Sequence, residues 1–132
     1  MGEGITAVVA IVVNNEYVLV GKKTEASESF LKGRWHLPGE TIEGKESDLD
    51  ALIRGIREEA GIDLQAVRYL ATSHPKEDVE VRWYECLPSS ITCTPGSDLI
   101  DVCWVKKEEV SVFCSPESVS VWPEEVRNYF LE

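Results

Sequence analysis

The chain has 132 residues, 43% of them apolar, and carries 24 acidic against 13 basic side chains, for a formal net charge of −11. That length supports one core in one domain, and the apolar share is that of a globular protein, which excludes disordered and fibrous classes. The charge excludes a nucleic-acid polymer as partner, because no basic stripe offsets its phosphates.

Residues 5–13 are rich in β-branched side chains and read as a buried strand. Asn14-Asn15 signals a turn, since asparagine tolerates positive φ. Residues 17–22 return as the second arm of a hairpin, residues 24–33 read as a loop, and residues 34–37 as a short strand stopped by Pro38-Gly39. A helix follows, with Ser47 as N-cap and Asp50 three positions on. Its expected buried stripe is Leu49, Leu52, Ile53, Ile56 and Ala60, and Gly61 ends it. Residues 67–73 and 79–87 read as an antiparallel strand pair flanking a loop at 74–78, with a further strand at 99–105. A last helix spans 123–131, with Pro123 in its first turn. The order predicts an α+β fold with a mixed sheet and helices packed on it.

Two further exclusions follow from the chain. It lacks an apolar run of the roughly 18 residues that a membrane-spanning helix needs. Its opening, Met1-Gly2-Glu3-Gly4, has no basic segment of a signal peptide, so the expected location is the cytoplasm. In that compartment Cys86, Cys93, Cys103 and Cys114, with no Cys-x-x-Cys pair among them, are expected as reduced, buried or half-buried thiols.

The chemistry concentrates in residues 38–62. A Pro38-Gly39 loop bearing Glu40, Glu43 and Glu46 leads into the helix, whose last turn carries Glu58 and Glu59. Helical spacing predicts residues 55, 58 and 59 on one side. Such oxygen-only donors suit hard cations, Mg²⁺ or Mn²⁺, over zinc. Taken alone, a Glu-Glu pair near a helix C-terminus reads as a solvated acidic face, offset by Arg54 and Arg57 one turn back.

The whole pattern says more. Leu37-Pro38-Gly39 followed by Glu46, Arg54, Ile56, Glu58, Glu59, Gly61 and Ile62 resembles the Nudix box of the MutT-like hydrolases, and the flanking strands agree along nearly the entire chain. The resemblance implies an α/β/α sandwich and a divalent-metal-dependent hydrolase. Its reaction would be attack of water on a diphosphate linkage, in a nucleoside triphosphate or a nucleoside-diphosphate-linked compound. It implies Glu58 and Glu59 as ligands of Mg²⁺ or Mn²⁺, with the Gly39 carbonyl as an extra one. Arg54 would orient the glutamates, and Glu46 would support the loop or the metal shell. Lys22, Lys23 and Arg34 are placed to meet phosphates. Glu117, in a 115–118 loop where relatives read a purine edge, would pair with guanine-type donors. The expected partner is a small nucleotide-type molecule, neither nucleic acid nor membrane, bound to a monomer or homodimer.

Two positions depart from the box. Glu40 stands at its opening glycine, and Gly55 stands where a glutamate should follow the arginine. In much of the family that glutamate binds metal or takes the proton of the attacking water. Glycine does neither, and in mid-helix it costs about 1 kcal/mol relative to alanine. Asp98, six residues before Trp104, is the first replacement to consider. Asp101 reads as part of a strand, Glu40 as a surface glutamate unless it swings in, His74 as an exposed loop side chain and His36 as core. Trp35, Trp83 and Tyr84 read as core aromatics before base-stacking ones. The gap also leaves two other readings. One is a sugar-nucleotide hydrolase cutting at the sugar carbon, like the GDP-mannose mannosyl hydrolases. The other is a weakened Nudix-like domain that binds a ligand to regulate.

Overall fold

The structure, a computed structural model, describes residues 4–25, 32–96 and 99–131. Strand β1 (Ile5–Asn14) turns through Asn15, at φ 56°, into β2 (Tyr17–Lys23). The two pair only at the turn, Val13 opposite Val18 and Asn14 opposite Tyr17. They then part and recruit different neighbours. β2 lies between β3 (Trp35–His36) and β7 (Leu99–Lys106), antiparallel to both. β1 lies between β4 (Gly39–Thr41), antiparallel, and β6 (Val79–Pro88), parallel from Ile5 opposite Val79 to Val12 opposite Cys86. β5 (Leu64–Lys76) closes the far edge of the mixed seven-stranded sheet against β6.

Both faces of this sheet are covered, which is why β1 is apolar at nearly every position instead of alternating. Val8, Ala10 and Val12 pack with Ala51, Leu52, Ile56 and Ala60 of α1 (Asp48–Ala60). Ile11, with Val18 and Val20 of β2, faces the other core, with Val110, Trp122, Val126 and Phe130. Those last four come from the C-terminal end, where a 3-10 turn at Lys107–Glu109 leads through α2 (Val110–Phe113), α3 (Pro116–Val119) and α4 (Glu124–Leu131). The result is the sandwich of helices about a mixed sheet that the sequence predicts.

The caps of α1 are where the sequence puts them. Ser47 Oγ accepts the Asp50 N–H at 3.1 Å, and Gly61, at φ 68°, donates its N–H to the Arg57 carbonyl at 3.0 Å. The buried arc differs. Leu49 is half exposed and Ile53 only partly buried, while Gly55 and Glu59 are buried. The arc centres on residues 52, 56 and 59 because the helix lies against β1 and β4, and Leu49 belongs to the solvent side of its first turn.

Three other expectations need correction. Residues 39–41 form strand β4 because β1 offers them a free edge, though nothing in their own pattern alternates. β5 runs to Lys76, so His74 sits on a strand and not in a loop, although it is exposed as expected. The 115–118 segment is the start of α3, with Ser115 as N-cap accepting from the Ser118 N–H at 3.3 Å and Pro116 in the first turn. Of the expected loop at 24–33, residues 26–31 lie outside the described part.

All four cysteines are free. Cys86 and Cys114 are buried, and burial pushes both thiols up to about 12, where they are inert. Among the described residues no helix is long and apolar enough to cross a membrane.

Candidate active site

The site is assembled by α1 crossing the short strand β4. Arg54, midway along α1, reaches back over the 40–46 segment and holds it. Its Nε and Nη2 donate to Glu46 Oε2 and Oε1 at 2.7 and 2.9 Å, a bidentate pair, and Nη2 also donates to the Thr41 carbonyl at 3.1 Å. Glu46 in turn accepts the Glu43 N–H at 3.0 Å. The Arg54 guanidinium, seconded by that backbone N–H, holds the Glu46 carboxyl down at about 2.

Arg54 Nη1 meets three further carboxylates: Glu40 at 3.3 Å, Glu58 at 3.5 Å and Glu43 at 3.7 Å. Four carboxylates therefore share one guanidinium, and negative charge is in surplus by three. Burial pushes the Glu40 carboxyl above its ordinary value, with Glu58 and Glu43 adding to the rise and Arg54 working against it.

The two glutamates of the last turn, indistinguishable by type, are placed differently. Glu58 stands on the Arg54 side with its side chain half exposed, whereas Glu59 is 2% exposed on the arc that includes Gly55. Residues 55, 58 and 59 are thus not on one side as spacing suggested: 55 and 59 face the sheet, and 58 faces solvent beside Arg54. Thr94 and Gly96 close the end of the helix, donating their N–H groups to the Ala60 and Glu59 carbonyls at 2.8 and 3.0 Å. These bonds satisfy carbonyls that a helix end otherwise leaves bare.

Beside the carboxylates opens a cleft of about 880 Å³ lined in part by Lys23, Gly39, Glu40, Glu59, Ser118 and Trp122. Its volume is that of a small-molecule site. Of the residues expected to meet substrate, Lys23 lines it. Lys22 is not among its lining residues, and Arg34 and Glu117 pair with each other at 3.2 Å, both side chains exposed. His36, buried, lines the cleft with Nδ1 2.7 Å from the Leu37 carbonyl, and Trp83 donates from Nε1 to Ser73 Oγ at 2.9 Å. Ser118 and Trp122 were missed. The cap signal Ser115-Pro116 and the large apolar Trp122 directly before Pro123 would have found them. Asp98 lies outside the described residues.

As they stand, the described residues include no three His, Cys, Asp or Glu side chains gathered as metal ligands; the carboxylates spread round Arg54 instead. Their chemistry nonetheless fits a hard divalent cation: every donor is oxygen, and among the described residues no second cation pairs with these four carboxylates.

The NUDIX domain family model matches residues 4–127. The chain belongs to the Nudix family, whose members are in general metal-dependent pyrophosphohydrolases of nucleoside-diphosphate-linked substrates. In sequence it is similar to the 8-oxo-dGDP phosphatase NUDT18 of Danio rerio, 40% identical over 61 residues, which are 46% of this chain and 18% of that protein. In fold it is similar to the NUDIX hydrolase of Nitrosomonas europaea, at a TM-score of 0.80 and 18% identity over 100% of this chain and 73% of that one. The NUDIX domain of Shewanella oneidensis NrtR, solved in complex with ADP ribose, has a TM-score of 0.75 at 19% identity, over 98% of this chain and 90% of that one.

Proposed function

We propose that the protein hydrolyses a diphosphate linkage in a nucleoside triphosphate or a nucleoside-diphosphate-linked compound, using Mg²⁺ or Mn²⁺. The observation that carries this is the surplus of carboxylates round Arg54 at the rim of the cleft. The ADP ribose held by the Shewanella domain supports the substrate class. Glu58 and Glu59 would hold the cation, with the Gly39 carbonyl and Glu46 as further oxygen donors. When bound, the cation would neutralise charge on phosphoryl oxygens and activate water. Arg54 fixes the rims of the site relative to each other, pinning the 40–46 segment to α1 so that the carboxylates keep their spacing. Lys23 would meet phosphate at the cleft wall, and the buried Trp122 and Trp83 would bound the space for the rest of the substrate.

The test is a panel of nucleoside triphosphates and diphosphate-linked nucleotides assayed with each metal. Glu58→Gln or Glu59→Gln should remove turnover while leaving the circular dichroism spectrum unchanged; parental rates in both variants would withdraw the metal assignment. Incorporation of ¹⁸O from water should appear in phosphate, and label on a released sugar would favour attack at carbon. Gly55, which puts no carboxylate on α1 at that turn, favours a second reading, a domain that binds such a nucleotide without cutting it. Calorimetric binding with no turnover across the panel would select it.

A further inference from the structure

The Nudix box has glycine at position 40 and a glutamate at position 55, and in this chain the two residue types are exchanged. The structure sets these positions face to face. A Cβ built on Gly55 would stand 2.9 Å from Cβ, 3.1 Å from Cγ and 3.1 Å from Oε2 of Glu40. The first distance is shorter than non-bonded carbons approach, and Glu40 Cβ cannot yield alone, because β4 is registered on β1 with Glu40 opposite Val8. Glu40 therefore demands glycine at 55.

The carboxylate that results is not on the open surface. Its side chain is 24% exposed, it lines the cleft with Gly39 and Glu59, and its Oε1 meets the same Arg54 nitrogen that meets Glu58. The 3.1 Å from Oε2 to the missing Cβ is about the span from Cβ to carboxylate oxygen within a glutamate. The oxygen thus falls within the reach that a side chain rooted at 55 would have. Arg54 grips Glu46 with two short hydrogen bonds but holds Glu40 through a longer contact, so Glu40 is the one more easily taken by a cation.

We propose that Glu40 supplies from β4 the carboxylate that α1 lacks at position 55, as a ligand of the divalent cation. The proposal rests on the metal-dependent reading above. It makes the two departures from the box one reciprocal change instead of two losses.

The experiment is a Mn²⁺ titration, followed by calorimetry and by the loss of the free-ion paramagnetic resonance signal. It uses the parent protein, E40Q, G55E and the double variant E40G/G55E. E40Q, near-isosteric, should weaken Mn²⁺ binding at least about tenfold, the scale seen when groups supporting a metal are removed. G55E alone should also weaken it, because its side chain displaces Glu40. The double variant, which restores the usual arrangement, should recover parental affinity. E40Q with parental affinity overturns the proposal, and a lowered Tm without a change in affinity does so too, since that marks a partner of Arg54 only. A folded double variant that fails to recover binding also overturns it. If the parent takes up no Mn²⁺, the metal reading falls and the role of Glu40 with it, so the two failures are told apart by the parent alone.

Discussion

Helix α1 takes part in two arginine-centred networks, and they differ in balance. At its first turn Asp48 meets Arg82 of β6 at 2.7 Å, and Arg82 also holds Glu80 at 2.6 Å, which His74 approaches at 3.3 Å; Tyr84 donates to the other oxygen of Asp48. Two carboxylates there share one guanidinium and a histidine. Six residues along, four carboxylates share Arg54. The Arg82 network is left with one carboxylate in surplus and ties the helix to the sheet. The Arg54 network is left with three, and it borders the cleft. The larger surplus stands beside the cleft, and it is the charge that the proposed cation would neutralise.

Removing each arginine is the sharpest way to break the contrast. R54M should leave four crowded carboxylates and release the 40–46 segment, reducing turnover on the order of 100-fold, the upper end for loss of an orienting partner, and lowering the thermal midpoint. Retained turnover would mean that the segment is held by β4 alone.

The acid side of the stability curve separates the networks next. Glu46 has its carboxyl lowered from 4.5 to about 2, so its contribution is present above its unfolded value and is lost as pH falls from about 4.5 to about 2. Metal-free parent protein should lose stability across that window, and E46Q should flatten this part of the curve. An unchanged slope would place the acid sensitivity in other carboxylates.

Cap removal should be milder. S47A leaves the Asp50 N–H without its acceptor and should cost about 1 kcal/mol in urea unfolding, with Mn²⁺ binding unaffected. Smallest is R82M. Its guanidinium is over a third exposed, so breaking its pairs should cost no more than about 1 kcal/mol and leave Mn²⁺ affinity at the parental value. Lost affinity in R82M would show that the two networks communicate along α1.

What the sequence disclosed was whatever is encoded locally. β1, the Asn15 turn and both caps of α1 depend on residues within a few positions of each other, and all are found. β4 was illegible because a three-residue strand exists only through the edge that β1 presents. Spacing alone could not show that Glu59 faces inward and Glu58 outward, since that depends on which side of α1 meets β4. The meeting of Glu40 and Gly55 brings together residues from two elements, so each departure from the box looked like a separate defect. Arg34 and Glu117, each read as a substrate contact, are 83 positions apart, and their pairing comes from β3 packing against the start of α3.

The parallel union of β1 with β6 has a kinetic consequence. Ile5 lies opposite Val79, so the chain must close a long loop before the centre of the sheet exists, and such non-local pairing slows folding. Val79, Val81 and Trp83, which line the cleft with Lys23, Glu40 and Glu59, reach their places through that pairing. A chain without that pairing would thus have α1 and its glutamates beside an incomplete cleft. During refolding, recovery of Mn²⁺ binding should follow the same time course as tryptophan burial, and not the earlier gain of helical signal.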